Sequence, residues 1–240
     1  MKFHDIFPSV QPVIGMLHLK GDHKLSMMER AKRETECYLE QGVDALLVEN
    51  YFGSAQDCER VLAWLEKEHP DAQYGINILG DYERAFILAK RYHAAFIQID
   101  SVCGHLPKLQ DERLANHLQS LRKDCDAAVL GGVRFKYQAV RSGRSVEEDL
   151  LLGMQRCDAI VVTGAGTGMM TPMDKVRAFR DTIGDFPLIM GAGMRPEMIY
   201  NCFSICDGAI VGSYFKEGHR DHGDVNPQFV AEFMNEKRRI

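Results

Sequence analysis

Six polar side chains end short apolar runs: His18, Glu49, Asn77, Asp100, Lys136 and Thr163. A polar residue in such a run is costly to bury alone, so six at matching positions point to one shared polar site. Glu49 and Asp100 are a carboxylate pair suited to general acid–base work. Lys136 can form an imine when desolvated, bind phosphate or carboxylate as a fixed cation, or pair with Glu49 or Asp100. An imine needs a neutral amine; Arg134 nearby favours that form and the two carboxylates oppose it, so a permanent substrate-binding cation is expected. His18 is a fourth catalytic candidate, as an acid–base group or metal ligand. The run His18-Leu19-Lys20 lacks the HxH of binuclear metal hydrolases. No required cofactor is expected, and a single Mg²⁺ held by carboxylates and a substrate phosphate stays open. Asn77 and Thr163 are expected to orient substrate or Lys136.

A second signal lies in the last quarter. Phe186–Met194 and Asp207–Ser213 are apolar runs ending in glycine, each followed by helix-forming sequence. Glycine there lets backbone N–H groups approach an anion, and a helix start adds partial positive charge. Gly191, Gly193, Gly212 and Ser213 are therefore expected to hold a phosphate; the alternative is that the glycines only make tight turns. The loop Thr163–Gly168, with Gly164, could cover the ligand or merely turn the chain. Arg141 and Arg144 in Tyr137–Ser145 suggest a mobile phosphate clamp or, equally, a solvated loop. His219, Asp221 and His222 read as a surface loop.

These residues need a frame that brings strand ends together. Apolar runs at 12–18, 43–49, 74–79, 95–100, 128–136, 158–163, 187–191 and 207–212 alternate with segments of helical period, such as Cys58, Val61, Leu62 and Leu65. Eight such units in 240 residues predict an α/β fold, one (β/α)8 TIM barrel over 1–240 with a phosphate site after strands 7 and 8. Strand parity places Leu47, Glu49, Asn77, Gln98, Asp100, Arg134 and Lys136 inside, and Leu46, Val48, Ile97, Ile99, Val133 and Phe135 towards the helices. The six polar residues then meet at the carboxyl end, where barrel enzymes keep their chemistry. A net charge of -5 argues against nucleic acid as a partner, and no apolar stretch is long enough to span a bilayer. Seven scattered cysteines without a CxxC fit reduced thiols in a cytoplasmic protein. A homo-oligomer stays open.

At these strand ends the chain resembles the BtpA family, named for a photosystem I biogenesis protein. The matching stretches are 12–19, 42–50, 75–79, Phe135-Lys136, 158–164, 191–193 and 207–213 leading to Lys216. The resemblance implies a phosphate-binding-type TIM barrel and no particular reaction. Asn50-Tyr51-Phe52-Gly53-Ser54 and Asp100 depart from the family pattern, which leaves open a subgroup with its own substrate and weakens any transfer of a photosystem role. The expected function is an enzyme acting on a small phosphorylated metabolite, a sugar phosphate or phosphoribosyl compound, by isomerase, epimerase or lyase chemistry. The competing expectation is a non-catalytic assembly or regulatory factor that keeps an anion pocket.

Overall fold

Alternation of apolar strands with amphipathic helices produces a closed parallel barrel. The computed structural model describes residues 2–7, 11–21 and 24–240. Its strands are β1 (Val13–Leu17), β2 (Ala45–Glu49), β3 (Tyr74–Asn77), β4 (Phe96–Cys103), β5 (Ala128–Val133), β6 (Ala159–Val162), β7 (Leu188–Met190) and β8 (Gly208–Val211). They pair in sequence order, and β1 meets both β2 and β8. A short helix α1 (Lys2–Ile6) precedes β1. The intervening helices are α2 (Lys24–Glu40), α3 (Ala55–Glu68), α4 (Tyr82–Arg91), α5 (Lys108–Lys123), α6 (Val146–Met154), α7 (Met173–Ile183) and α8 (Ile199–Phe203), and α9 (Pro227–Lys237) follows β8.

Parity sorts the buried side chains into two layers. Ile14, Met16, Leu47, Phe96, Leu130, Val161, Ile189 and Ile210 fill the barrel interior. Phe3 and Phe7 plug its amino end, Phe7 lying 5.4 Å from the Phe96 ring. Leu46, Val48, Ile76, Ile97, Ile99 and Val133 pack outward against the helices. Gly75 exists in this frame because a Cβ there would sit 2.3 Å from the Phe96 ring. Helix starts are fixed by reciprocal capping: Ser54 with Asp57 begins α3, and Ser145 with Glu148 begins α6.

The expected parity fails at one place. β5 ends at Val133, and left-handed backbone at Arg134 (φ 48°) and Tyr137 (φ 61°) breaks the alternation. Phe135 joins the inner cluster, whereas Arg134 turns outward, against the expectation from strand spacing. Its Nε donates to Asp149 Oδ2 at 2.8 Å and its Nη2 to the Arg144 carbonyl at 2.6 Å.

Arg134 thereby enters an ion-pair network outside the barrel that ties the β4, β5 and α6 segments together. Arg144 Nε donates to Asp149 Oδ1 (2.8 Å) and its Nη2 to Asp111 Oδ2 (2.7 Å). Arg156 grips Asp111 through two nitrogens at 2.7 and 2.9 Å. Burial works to raise the Asp111 and Asp149 carboxyls, but the guanidinium hydrogen bonds outweigh it and hold both below their ordinary value. Arg144 is therefore a structural anchor and no mobile clamp. Removing one partner from such a network strands the others in a dry setting. Asp149→Ala is expected to lower unfolding stability by about 3–5 kcal/mol, read by urea denaturation at pH 7; a loss within error of zero would show the network to be dispensable.

Candidate functional site

Strand ends β2 to β4 deliver a hydrogen-bonded row of polar groups, with His18 after β1 beside it. Glu49 and Asn77 are the last residues of their strands, Asp100 lies in β4, and His18 directly follows β1. Asn77 Nδ2 donates to both Glu49 Oε1 (2.8 Å) and Asp100 Oδ1 (3.0 Å). Gln98 Nε2 also donates to Asp100 Oδ1, at 3.2 Å. His18 Nε2 lies 3.7 Å from Glu49 Oε2, beyond hydrogen-bond reach. Asn77 thus orients the two carboxylates themselves. Thr163 acts on Lys136, its Oγ1 accepting the Lys136 N–H at 2.9 Å. Lys136 Nζ donates to Thr167 Oγ1 at 3.2 Å. With Arg134 turned away, the group expected to favour a neutral Lys136 is gone from the site.

Burial tunes this row. Desolvation, then the Asp100 charge, pushes the Glu49 carboxyl up to about 7, against Lys136, the Asn77 hydrogen bond and Lys216. Desolvation, then the Lys216 ammonium, brings His18 down to about 3, against the Asp221 carbonyl and carboxylate. His18 is therefore a neutral imidazole at pH 7, and its approach to Glu49 is no ion pair. Lys216 is 1% exposed. Desolvation lowers it to about 8, while Glu34, Glu49 and Asp221 favour its charge.

Beside the row, the two glycine-bearing strand ends meet. Gly191, Gly193, Gly212 and Ser213 line one pocket with His18, Lys136, Thr167, Gly168 and Arg195. Among the described residues, no loop hydrogen bond uses the N–H of Gly193, Gly212 or Ser213. Gly191 differs from the expectation, because its N–H is spent on the Val162 carbonyl at 2.8 Å. It is glycine for space: a Cβ would come within 2.4 Å of Val161. Gly193 has a left-handed φ of 76° and backs onto the Met169 carbonyl, so the loops after β6 and β7 interlock there. Gly164 likewise faces the Met170 carbonyl and serves the loop's own fold, while Thr167 and Gly168 carry that loop into the pocket. Arg141 is exposed and lies outside the pocket lining, its N–H bonded to the Gly104 carbonyl.

Several site residues escaped sequence reasoning. Lys216 follows a 3₁₀ turn (Ser213–Phe215) after β8, where no periodicity marks an inward residue. Its Nζ lies 2.8 Å from His18 Nδ1. Tyr51 stacks on His18 with ring centroids 4.7 Å apart and donates to Asp221 Oδ2 at 3.0 Å. The His219–Asp221 segment, read as a surface loop, folds over the pocket rim: His219 joins the lining and the Asp221 carbonyl meets His18 Nδ1 at 2.9 Å. Among the described residues no group of three or more His, Cys, Asp or Glu could hold a metal ion, and no helix is long and apolar enough to cross a membrane.

Closed order, eight parallel strands and a polar row at the carboxyl rim define a (β/α)8 TIM barrel. The phosphoribosyl anthranilate isomerase of Thermus thermophilus shares this fold, with a TM-score of 0.64 at 12% identity over 95% of this chain and 99% of that one. The chain belongs to the BtpA family, whose signature matches residues 9–239. It is 30% identical to an uncharacterised protein of Thermococcus kodakarensis across 90% of this chain and 91% of the relative. It is 25% identical to the photosystem I biogenesis protein BtpA of Synechocystis, across 94% and 86% respectively.

The raised Glu49 has a stability consequence of definite sign. The folded state holds a proton on Glu49 that the unfolded chain releases near 4.5, so this contribution is complete below pH 4.5 and lost as pH rises through about 7. Glu49→Gln keeps the acceptor for Asn77 and is uncharged throughout. It is expected to be more stable than the parent at pH 8, by of order 3 kcal/mol, with the gap closing by pH 4.5. Paired denaturation curves at the two pH values check this, and an equal gap at both would contradict the buried-carboxyl assignment.

Proposed function

We propose that this protein is an enzyme acting on a small phosphorylated metabolite, a sugar phosphate or phosphoribosyl compound, by proton-transfer chemistry of the isomerase, epimerase or lyase kind. The reading is supported by one pocket lined by Gly193, Gly212, Ser213, Lys136 and Arg195, where among the described residues no loop hydrogen bond uses the N–H of those first three, and by the Glu49 carboxyl near neutrality, 3.7 Å from the pocket-lining His18. Three N–H donors and the Arg195 guanidinium suit a phosphate dianion. A carboxyl brought to about 7 is divided between acid and base forms at working pH, where general acid–base catalysis is most effective. In this reading Glu49 exchanges a proton with a substrate carbon or hydroxyl, and Asp100 holds the Asn77 amide that aims it. Lys136 stabilises negative charge developing on the reacting oxygen. The fold is shared with an isomerase whose name carries a phosphoribosyl group, which supports the substrate class by analogy.

Binding is tested by a stabilisation screen with sugar phosphates, phosphoribosyl compounds and nucleotides, each with Mg²⁺ and with EDTA. A true ligand at a hundred times its Kd adds about 2.7 kcal/mol of stability. Gly212→Val is the matched control. Its φ of -117° lies outside the left-handed region, and the added Cβ would meet Met16 Cβ at 3.4 Å and His18 Cε1 and Nε2 at 3.5 and 3.6 Å, both pocket-lining residues. The variant is expected to fold and to lose the ligand-induced stabilisation. Retained stabilisation would move the phosphate elsewhere. Binding without turnover of any bound ester would replace this reading with that of a ligand-holding assembly factor, the role the name of the Synechocystis relative suggests.

Lys136 is read as a substrate-binding group that forms no imine, its Nζ donating to Thr167 Oγ1 at 3.2 Å. Borohydride treatment with carbonyl-bearing phosphate esters, followed by intact-mass and peptide analysis, is expected to leave Lys136 unmodified. A reduced adduct on Lys136 would make the reaction a covalent, aldolase-type one.

A further inference from the structure

We propose that Lys216 is a positioning residue that sets the tautomer of His18, holding the imidazole proton on Nε2, on the pocket side. This deepens the reading of the site given above, and its test is made on the unliganded protein. The geometry is a three-way contact. Lys216 Nζ stands 2.8 Å from His18 Nδ1 and 3.3 Å from the Asp221 carbonyl, while that carbonyl and Nδ1 are 2.9 Å apart. An ammonium has three N–H donors and no lone pair, and a carbonyl oxygen can only accept. Nδ1 has both as neighbours, so its state depends on the lysine. Facing an ammonium it must accept, and the single proton of the neutral ring then sits on Nε2.

Nε2 is on the other side of the ring, beneath Gly212, where His18 joins the pocket lining. The carboxylate nearest to it, Glu49 Oε2 at 3.7 Å, is too distant to engage the N–H. The charged lysine thus gives the pocket a neutral hydrogen-bond donor, able to meet a substrate oxygen without delivering a proton. Tyr51, stacked on the ring, keeps it from rotating.

Charges around the pair decide when this arrangement holds. Glu34 of α2, Glu49 of β2 and Asp221 favour the ammonium; burial and Arg30 of α2 oppose it, leaving Lys216 near 8. Burial first, then Lys216 and Lys136, keep His18 neutral against Asp221, and Glu49, which ionises through about 7, faces Nε2 from 3.7 Å. Lys216 is thus mostly charged at pH 7 and discharges as pH rises through about 8. Once discharged it no longer forces Nδ1 to accept, and Nδ1–H can donate to the Asp221 carbonyl. Nε2 then presents a lone pair, and the pocket exchanges a donor for an acceptor.

Long-range ¹H–¹⁵N correlation spectra of protein labelled at histidine report which ring nitrogen carries the proton. His18→Gln assigns the signal by its disappearance. At pH 7 the parent protein is expected to show the Nε2–H form, and Lys216→Met to show a majority of the Nδ1–H form. Because Lys216→Met strands the buried Glu34, the same spectra of the parent protein from pH 7 to 10 give an independent reading, with the Nδ1–H form growing in around pH 8. An Nδ1–H ring in the parent at pH 7, or a tautomer unmoved by both the substitution and the pH rise, would overturn the proposal. These spectra need no substrate, so absence of phosphate-ester binding would leave the tautomer result intact, and the reverse holds equally.

Discussion

Closure of the barrel between β1 and β8 is the constraint on which the site rests. That seam brings residues about two hundred positions apart into one polar contact, His18 after β1 against Lys216 after β8. The seam is a parallel pairing like the others, Val13, Ile14 and Gly15 of β1 standing opposite Ala209, Ile210 and Val211 of β8. Above it, burial sets the protonation states. A carboxyl, an imidazole and an amine share a nearly dry rim, and each shifts towards its neutral form. Of the three, Glu49 and Lys216 are left able to change charge close to neutral pH, while His18 stays neutral there.

The two ends of the pocket are built by different means. Towards β7 and β8 the pocket is lined by main chain at Gly193, Gly212 and Ser213, whose N–H groups enter no loop hydrogen bond among the described residues. Towards β1–β5 the polar groups are side chains, each fixed by a neighbour: Glu49 and Asp100 by Asn77, the Lys136 backbone by Thr163, His18 by Tyr51 and Asp221. The arginine network outside the barrel supports the second end, because it anchors the segment that carries Lys136.

Sequence periodicity reached the fold and much of the rim for a physical reason. Inside a strand the pleat enforces alternation, so Glu49, Asn77 and Asp100 could be placed from their isoleucine, leucine and valine neighbours alone. The rule stops where the strand stops. At Arg134 a left-handed residue reversed the expected faces of Arg134 and Phe135, and nothing in the local pattern marks that turn. Arg144 sits in a polar, glycine-bearing stretch that looks like a free loop; its partners Asp111 and Asp149 lie on other elements, so only the folded chain reveals the anchor. Lys216 and the Asp221 carbonyl follow short 3₁₀ turns and reach His18 only through barrel closure, which is non-local. Gly191 illustrates a subtler limit: the residue type was legible as special, but whether it offered an N–H or merely space was not.

The split between main-chain and side-chain recognition shapes how such a site diverges. A backbone N–H survives almost any codon change at Ser213, and only substitutions that distort Gly193 or crowd Gly212 remove that end of the pocket. The opposite end has no such insurance, since single nucleotide changes can erase the carboxylate of Glu49 or the amine of Lys216. Substitution therefore alters the polar character of the β1–β5 end more readily than that of the main-chain end.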